Sequence, residues 1–168
     1  MRRGVLIAGI GNIFLSDDAF GVEVVQRLAG CPLPPGVRVE DFGIRGIHLA
    51  YELLEGYDGL VLVDAVPMNE APGTLALIEP QRETRGRAGM DTPAIVDAHT
   101  MNPDVVLATL SHLGGSVPAI FIIGCQPADL GDGMGLTPAV AAAVDDAVRM
   151  CLQLVSEMVE PVTKGVFQ

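Results

Sequence analysis

The chain has no tryptophan, two tyrosines and five phenylalanines among 168 residues, so its core must be built from Val, Leu, Ile and Ala. Positive charge is equally scarce. Ten Lys and Arg stand against 21 Asp and Glu, and the net charge of −11 excludes nucleic acid and an anionic membrane as partners. A basic or neutral patch on another protein remains compatible with it. Only Cys31, Cys125 and Cys151 carry thiols. They are odd in number, widely spaced and match no zinc or C-x-x-C pattern, which reads as buried thiols in a reducing cytosol. No apolar run is long enough to span a bilayer, for which about 18 residues are needed. Met1-Arg2-Arg3 and the residues after it imitate a signal peptide, yet the apolar run is short, cut by glycines and followed by two aspartates. The expectation is a cytoplasmic protein with one domain over residues 1–160 and a tail over 161–168.

What is present is organised around one stretch near the start. Val5 to Ala8 is uniformly apolar, as in a parallel strand covered on both faces. Gly9 and Gly11 permit a sharp turn or a close backbone approach. From about Asp17 the pattern turns helical, with Phe20, Val24 and Leu28 four apart and Val25 beside them. Asp17 or Asp18 can cap that helix by accepting from its free N–H groups. One cap needs one carboxylate, so the second is available for chemistry. The glycines do not make a dinucleotide site, because Phe14 stands where G-x-G-x-x-G needs its third glycine. Two aspartates at the helix entrance would also repel a pyrophosphate.

Further along, Val37 to Phe42 alternates as a second strand, and Asp41-Phe42-Gly43-Ile44-Arg45-Gly46 turns into a short helix with Ile47, Ala50 and Leu54 as its apolar stripe. Asp41 suits bracing of that loop as well as contact with a substrate. Gly59 to Val63 is a third buried strand closed by Asp64, a costly place for a carboxylate unless it is paired or solvated. At the carboxyl end of a strand in an open α/β sheet, Asp64 stands on the rim where ligands bind. Pro72-Gly73 opens a fourth strand near Thr74 to Glu79. Pro80 to Asp97, with Arg82, Arg85 and Arg87, reads as a surface loop within reach of a partner. His99 lies on the loop entering a helix capped by Asn102 and begun by Pro103, with Val106, Leu110 and Leu113 inward. His48 and His112 fall in helices or at their ends and read as structural or solvated. Ala119 to Gly124 is a fifth strand. Thr137 caps and Pro138 begins a last helix with Val140, Val144, Val148, Cys151 or Leu152, Val155 and Val159 at helical spacing.

Gly9, Gly11, Asn12, Leu15, Asp17, Asp18 and Gly21 together resemble the opening motif of the hydrogenase maturation proteases: G-x-G-N, two or three apolar residues, Asp-Asp or Asp-Glu, then glycine. Many members have glycine where this chain has Ala19. The likeness continues through Asp41, Gly43 and Gly46, through Asp64-Ala65, through Pro72-Gly73, and through His99 shortly before a helix, although the residues around His99 match poorly. Gly124-Cys125-Gln126-Pro127 and Gly135-Leu136-Thr137-Pro138 resemble the closing signatures. The fold expected is a single α/β domain, a mostly parallel five-stranded twisted sheet sandwiched between helices.

The resemblance implies an endopeptidase that removes a C-terminal extension from the precursor of a [NiFe]-hydrogenase large subunit after nickel insertion. Asp18, Asp64 and His99 would then bind nickel carried by the substrate, with zinc or cadmium able to substitute and no organic cofactor. Two carboxylates and an imidazole do make a mixed oxygen and nitrogen set suited to a borderline divalent ion. A rival chemistry makes Asp18 and Asp64 a proton-sharing aspartate pair. Two other functions compete: a nickel-binding assembly chaperone that does not cut, and a small-ligand or nucleotide-binding α/β protein. Serine or cysteine peptidase chemistry lacks a G-x-S-x-G elbow and a suitably placed cysteine.

Overall fold

Strand β1, Val5–Ile10, is apolar on both faces because both faces are covered. Val5 and Ile7 point into one apolar cluster, while Leu6, Ala8 and Ile10 point into the other. The same division runs through β3, Gly59–Ala65, where Val61 and Val63 join the first cluster and Leu60 and Leu62 the second. The first cluster is closed by α1, Phe20–Leu28, and α4, Pro138–Val159; the second by α2, Gly46–Leu53, and α3, Pro103–His112. The computed structural model describes residues 4–80 and 102–159.

The sheet has five strands in the order β2-β1-β3-β5-β4, with β2 at Val37–Gly43, β4 at Leu75–Ile78 and β5 at Ala119–Cys125. All neighbouring pairs are parallel except β4 with β5. From β1 the chain passes to β2 on one side, whereas from β3 it travels to β5 and β4 on the other. The carboxyl ends of β1 and β3 therefore flank the switch point of the sheet, the place where such folds leave a crevice. Among the described residues no helix is long and apolar enough to cross a membrane.

The five-stranded α/β sandwich expected from sequence is the fold observed, with several changes of detail. The α2 stripe is Gly46, Leu49, Ala50 and Leu53: Ala50 is inward as expected, but Leu49 and Leu53 take the places expected of Ile47 and Leu54. Both stripes are apolar, so helical periodicity alone does not choose between them; contact with the sheet does. In α3, Val106 and Leu110 are buried but Leu113, just past the helix end, is exposed. Helix α4 buries Ala143, Ala147 and Cys151 where Val148 and Leu152 are only partly covered, because small side chains allow close approach to the sheet. Cys125 and Cys151 are buried thiols, but Cys31 is half-exposed. Asn102 does cap α3, accepting from the Val105 N–H at 3.0 Å. Arg82, Arg85, Arg87, His99 and the tail 161–168 lie outside the described residues.

The start of α1 rests directly on the sheet. A Cβ placed on Gly21 would fall inside the van der Waals radius of the Val63 carbonyl oxygen and press on that of Ile10, so only glycine allows this contact. Gly21→Ala should therefore destabilise the fold by about 1–3 kcal/mol through overpacking. Urea denaturation measures this, and an unchanged midpoint would mean that α1 does not depend on that seat.

Candidate active site

Leaving β1, the chain turns at Gly11, whose φ of 141° is outside the range that L side chains favour. Ser16 then takes a left-handed φ of 51°, a strained choice for a residue with a side chain. Its N–H donates to the Gly133 carbonyl at 2.9 Å and its hydroxyl to the Gly131 carbonyl at 2.8 Å. These bonds hold Ser16 in place and send the next two carboxylates to different surroundings.

Asp17 is fully buried, at 0% exposure, and serves the closing loop between β5 and α4. Its Oδ2 accepts the N–H groups of Ala128 at 2.8 Å and Asp129 at 3.0 Å, and its Oδ1 accepts that of Thr137 at 2.7 Å. The Thr137 hydroxyl adds a bond of 2.9 Å to Oδ2. Burial alone would raise the Asp17 pKa, but the bonds from Thr137, Asp129 and Ala128 outweigh it and hold the carboxyl below its ordinary value. Neither aspartate caps α1: the 3-10 turn Ser16–Ala19 precedes that helix and no side chain caps either element. Long-range N–H donors have displaced the local ones. The same competition alters Thr137, whose carbonyl accepts the first bond of α4 from Ala141 at 2.8 Å while its hydroxyl turns to Asp17.

Asp18 points elsewhere. Its Oδ2 accepts the Asn12 N–H at 2.8 Å, and burial raises its pKa against that bond. Asp64, the penultimate residue of β3, is 2% exposed, and among the described residues its Oδ1 has no hydrogen-bond partner. Burial first, and then the negative charge of Asp18, push the Asp64 carboxyl well above the usual carboxylate range, with the Ala65 N–H opposing. The two residues that the sequence singled out at the ends of β1 and β3 are thus electrostatic neighbours at the switch point. Such a pair carries one proton more readily than none, so it can both donate and accept. Asp41 braces its own loop: its Oδ1 accepts the Gly43 N–H and its carbonyl the Arg45 guanidinium, both at 2.8 Å.

Sequence reasoning missed three supports of this site. Asn12 orients Asp18 through its N–H, which no residue type reveals. Ser16 sets the turn through a strained backbone, for which the sequence gives no signal. The Gln126 side-chain oxygen accepts the Met68 N–H, its carbonyl accepts the Gly73 N–H at 2.8 Å and its N–H donates to the Thr74 carbonyl at 2.8 Å, tying the loop after β3 to the end of β5. Its signal was present in the Gly-x-x-Pro signature, without a mechanism. Among the described residues no group of three His, Cys, Asp or Glu is placed to hold a metal ion.

Solved structures of maturation endopeptidases share this fold. The hydrogenase maturating endopeptidase HybD from E. coli is 29% identical, with a TM-score of 0.73 over 94% of this chain and 93% of that one. The solution structure of an endopeptidase from Escherichia coli gives 30% identity and a TM-score of 0.75, covering 94% and 93% of the two chains. Among curated relatives, the hydrogenase expression/formation protein HupD of Rhodobacter capsulatus is 35% identical over 96% of this chain and 75% of its own length. The hydrogenase 2 maturation protease of Escherichia coli strain K12 is 30% identical over 91% of each. A family model described as hydrogenase maturation protease matches residues 22–154. The chain belongs to the hydrogenase maturation protease family, a family of processing endopeptidases. That matched span begins after Asp18, so the opening motif through Asp18 lies outside it.

Asp17→Ala should lower the folding free energy by about 3 kcal/mol, because it strands closed N–H donors without an acceptor. Asp18→Asn should change it by less than about 1 kcal/mol, since an amide oxygen still accepts from Asn12. Chemical denaturation of both variants checks the contrast; equal losses would place both aspartates in the scaffold.

Proposed function

We propose that this chain removes the C-terminal extension of a [NiFe]-hydrogenase large-subunit precursor once nickel has been inserted, and that nickel held by the precursor is what it recognises. The observation that carries the reading is the Asp64 carboxyl, closed from water, with one oxygen unpartnered among the described residues and Asp18 beside it. A buried carboxyl without a partner is costly, and it persists where something outside the resting chain completes its bonding. An ion carried in by the substrate does so, and Asp18 and Asp64 supply oxygen ligands of the type that a borderline divalent ion accepts. His99 is the nitrogen ligand in this proposal. Without a resident ion, the chain binds the loaded precursor with energy that the empty precursor lacks, so completion of the metal centre becomes the signal for cleavage.

A second reading keeps the cleavage and changes the chemistry. The effect of the Asp18 charge on Asp64 favours a pair that shares a proton, one carboxylate drawing a proton from water while the other protonates the leaving amine.

Asp18→Asn and Asp64→Asn should each reduce cleavage of nickel-loaded precursor by about 10²-fold or more, the scale of a lost acid–base or metal-binding group. His99→Ala should weaken recognition of the loaded precursor, and serine at Cys31, Cys125 or Cys151 should leave cleavage intact. Gel electrophoresis of precursor purified with and without nickel reads all of these. Equal cutting of both forms would eliminate nickel as the signal and leave the aspartate pair. Nickel-dependent binding without a shortened product would make the chain an assembly chaperone instead.

A further inference from the structure

Four large apolar side chains are exposed on the two loops that frame Asp18: Ile13 and Phe14 before the 3-10 turn, Leu130 and Met134 in the closing loop. Phe14 is 60% and Met134 74% exposed. A parallel bridge between Leu15 and Gly133 joins the two loops, so the backbone at Phe14 runs alongside that preceding Met134. The Gly133 N–H donates to the Phe14 carbonyl at 2.9 Å, and the Phe14 N–H donates to the Asn12 side chain at 2.9 Å. Asn12 is also the residue whose N–H holds Asp18. The apolar pair and the candidate catalytic carboxylate are therefore fixed to one another by a short chain of hydrogen bonds, with the strained Ser16 between them.

Rigidly held, water-exposed Phe and Met at the edge of a site cost solvation free energy unless a partner covers them. A second copy of this chain does not suit that place. Each copy carries a net charge of −11, and the exposed Asp129 and Asp132 of the closing loop would face their equivalents. We propose that Phe14 and Met134 form the wall on which the precursor chain lies next to the bond that is cut, gripping a large apolar side chain of that segment. This rests on the proposed cleavage of the precursor and adds to it which residues select the peptide. Phe gives area at low entropy cost, and Met adapts to side chains of different shape. The acidic loop beside them turns away acidic peptide segments.

The test is steady-state cleavage of purified nickel-loaded large-subunit precursor by wild type, Phe14→Ser, Met134→Ser and the double variant. As loss of uniform binding, the change should raise KM about tenfold or more in the double variant with kcat retained. Folding midpoints should be unchanged, because both side chains are exposed. Ile47→Ser, on the outer face of α2 where Ile47 is 64% exposed, serves as the control and should leave KM unaltered. Replacing the apolar residues that flank the cut in the precursor by Asp should reproduce the rise in KM for wild type and have little further effect on the double variant. Wild type that cuts the precursor, with the same KM for the double variant, would overturn the docking wall and leave the cleavage reading standing. Wild type that cuts no precursor would instead overturn the cleavage reading itself. A rise in KM from Ile47→Ser alone would move the docking surface to α2, and sedimentation showing a dimer dissolved by the double variant at unchanged KM would assign the wall to self-association.

Discussion

The first turn of α1 lies on the backbone ends of β1 and β3, and nothing but the absence of a side chain at Gly21 permits it. This one contact sets the depth at which the chain enters the helix after β1. It therefore sets where the preceding turn can present a carboxylate relative to the last residues of β3. Were α1 lifted by the width of a methyl group, Asp18 would move away from Asp64 and the electrostatic coupling between them would fade with distance. The glycine at the end of the opening motif is thus a spacing device for the carboxyl pair. Its place in the motif follows from the same sheet geometry that puts a crevice between β1 and β3.

Two adjacent aspartates with opposite environments are the second feature of the design. Asp17 accepts from three N–H groups and a hydroxyl, and so ties the closing loop to the opening turn. Asp18, among the described residues, accepts from one N–H, that of Asn12. Burial works on both, yet hydrogen bonding pulls Asp17 down in pKa while Asp18 is raised. The inversion of direction at Ser16 makes this possible: a residue in the left-handed region swings the chain so that successive side chains leave toward different partners. Scaffold and candidate chemistry are in this way separated by a single peptide unit. The loop that Asp17 anchors also carries Leu130 and Met134, so one buried carboxylate fixes both the position of Asp18 and the shape of the rim beside it.

Much of this was legible in the residues. Uniformly apolar β1 and the apolar run Leu60 to Val63 of β3 announce a sheet covered on both faces, and Asn102-Pro103 announces a helix start, because each depends on local chemistry. The positions of Asp18 after one such strand and Asp64 at the end of another follow from order along the chain. The sequence by itself therefore determined the layer architecture, the mostly parallel sheet and the family, since these rest on short-range pattern. Tertiary structure decided the rest. Only the fold reveals that the Asp17 donors lie more than a hundred residues away at Ala128, Asp129 and Thr137, that α2 turns Leu49 and Leu53 inward instead of Ile47 and Leu54, and that Phe14 lies beside Gly133. The physical reason is the same in each case. A hydrogen-bond acceptor or an apolar face does not specify its partner; that choice is made by whichever donor or surface the folded chain brings within reach.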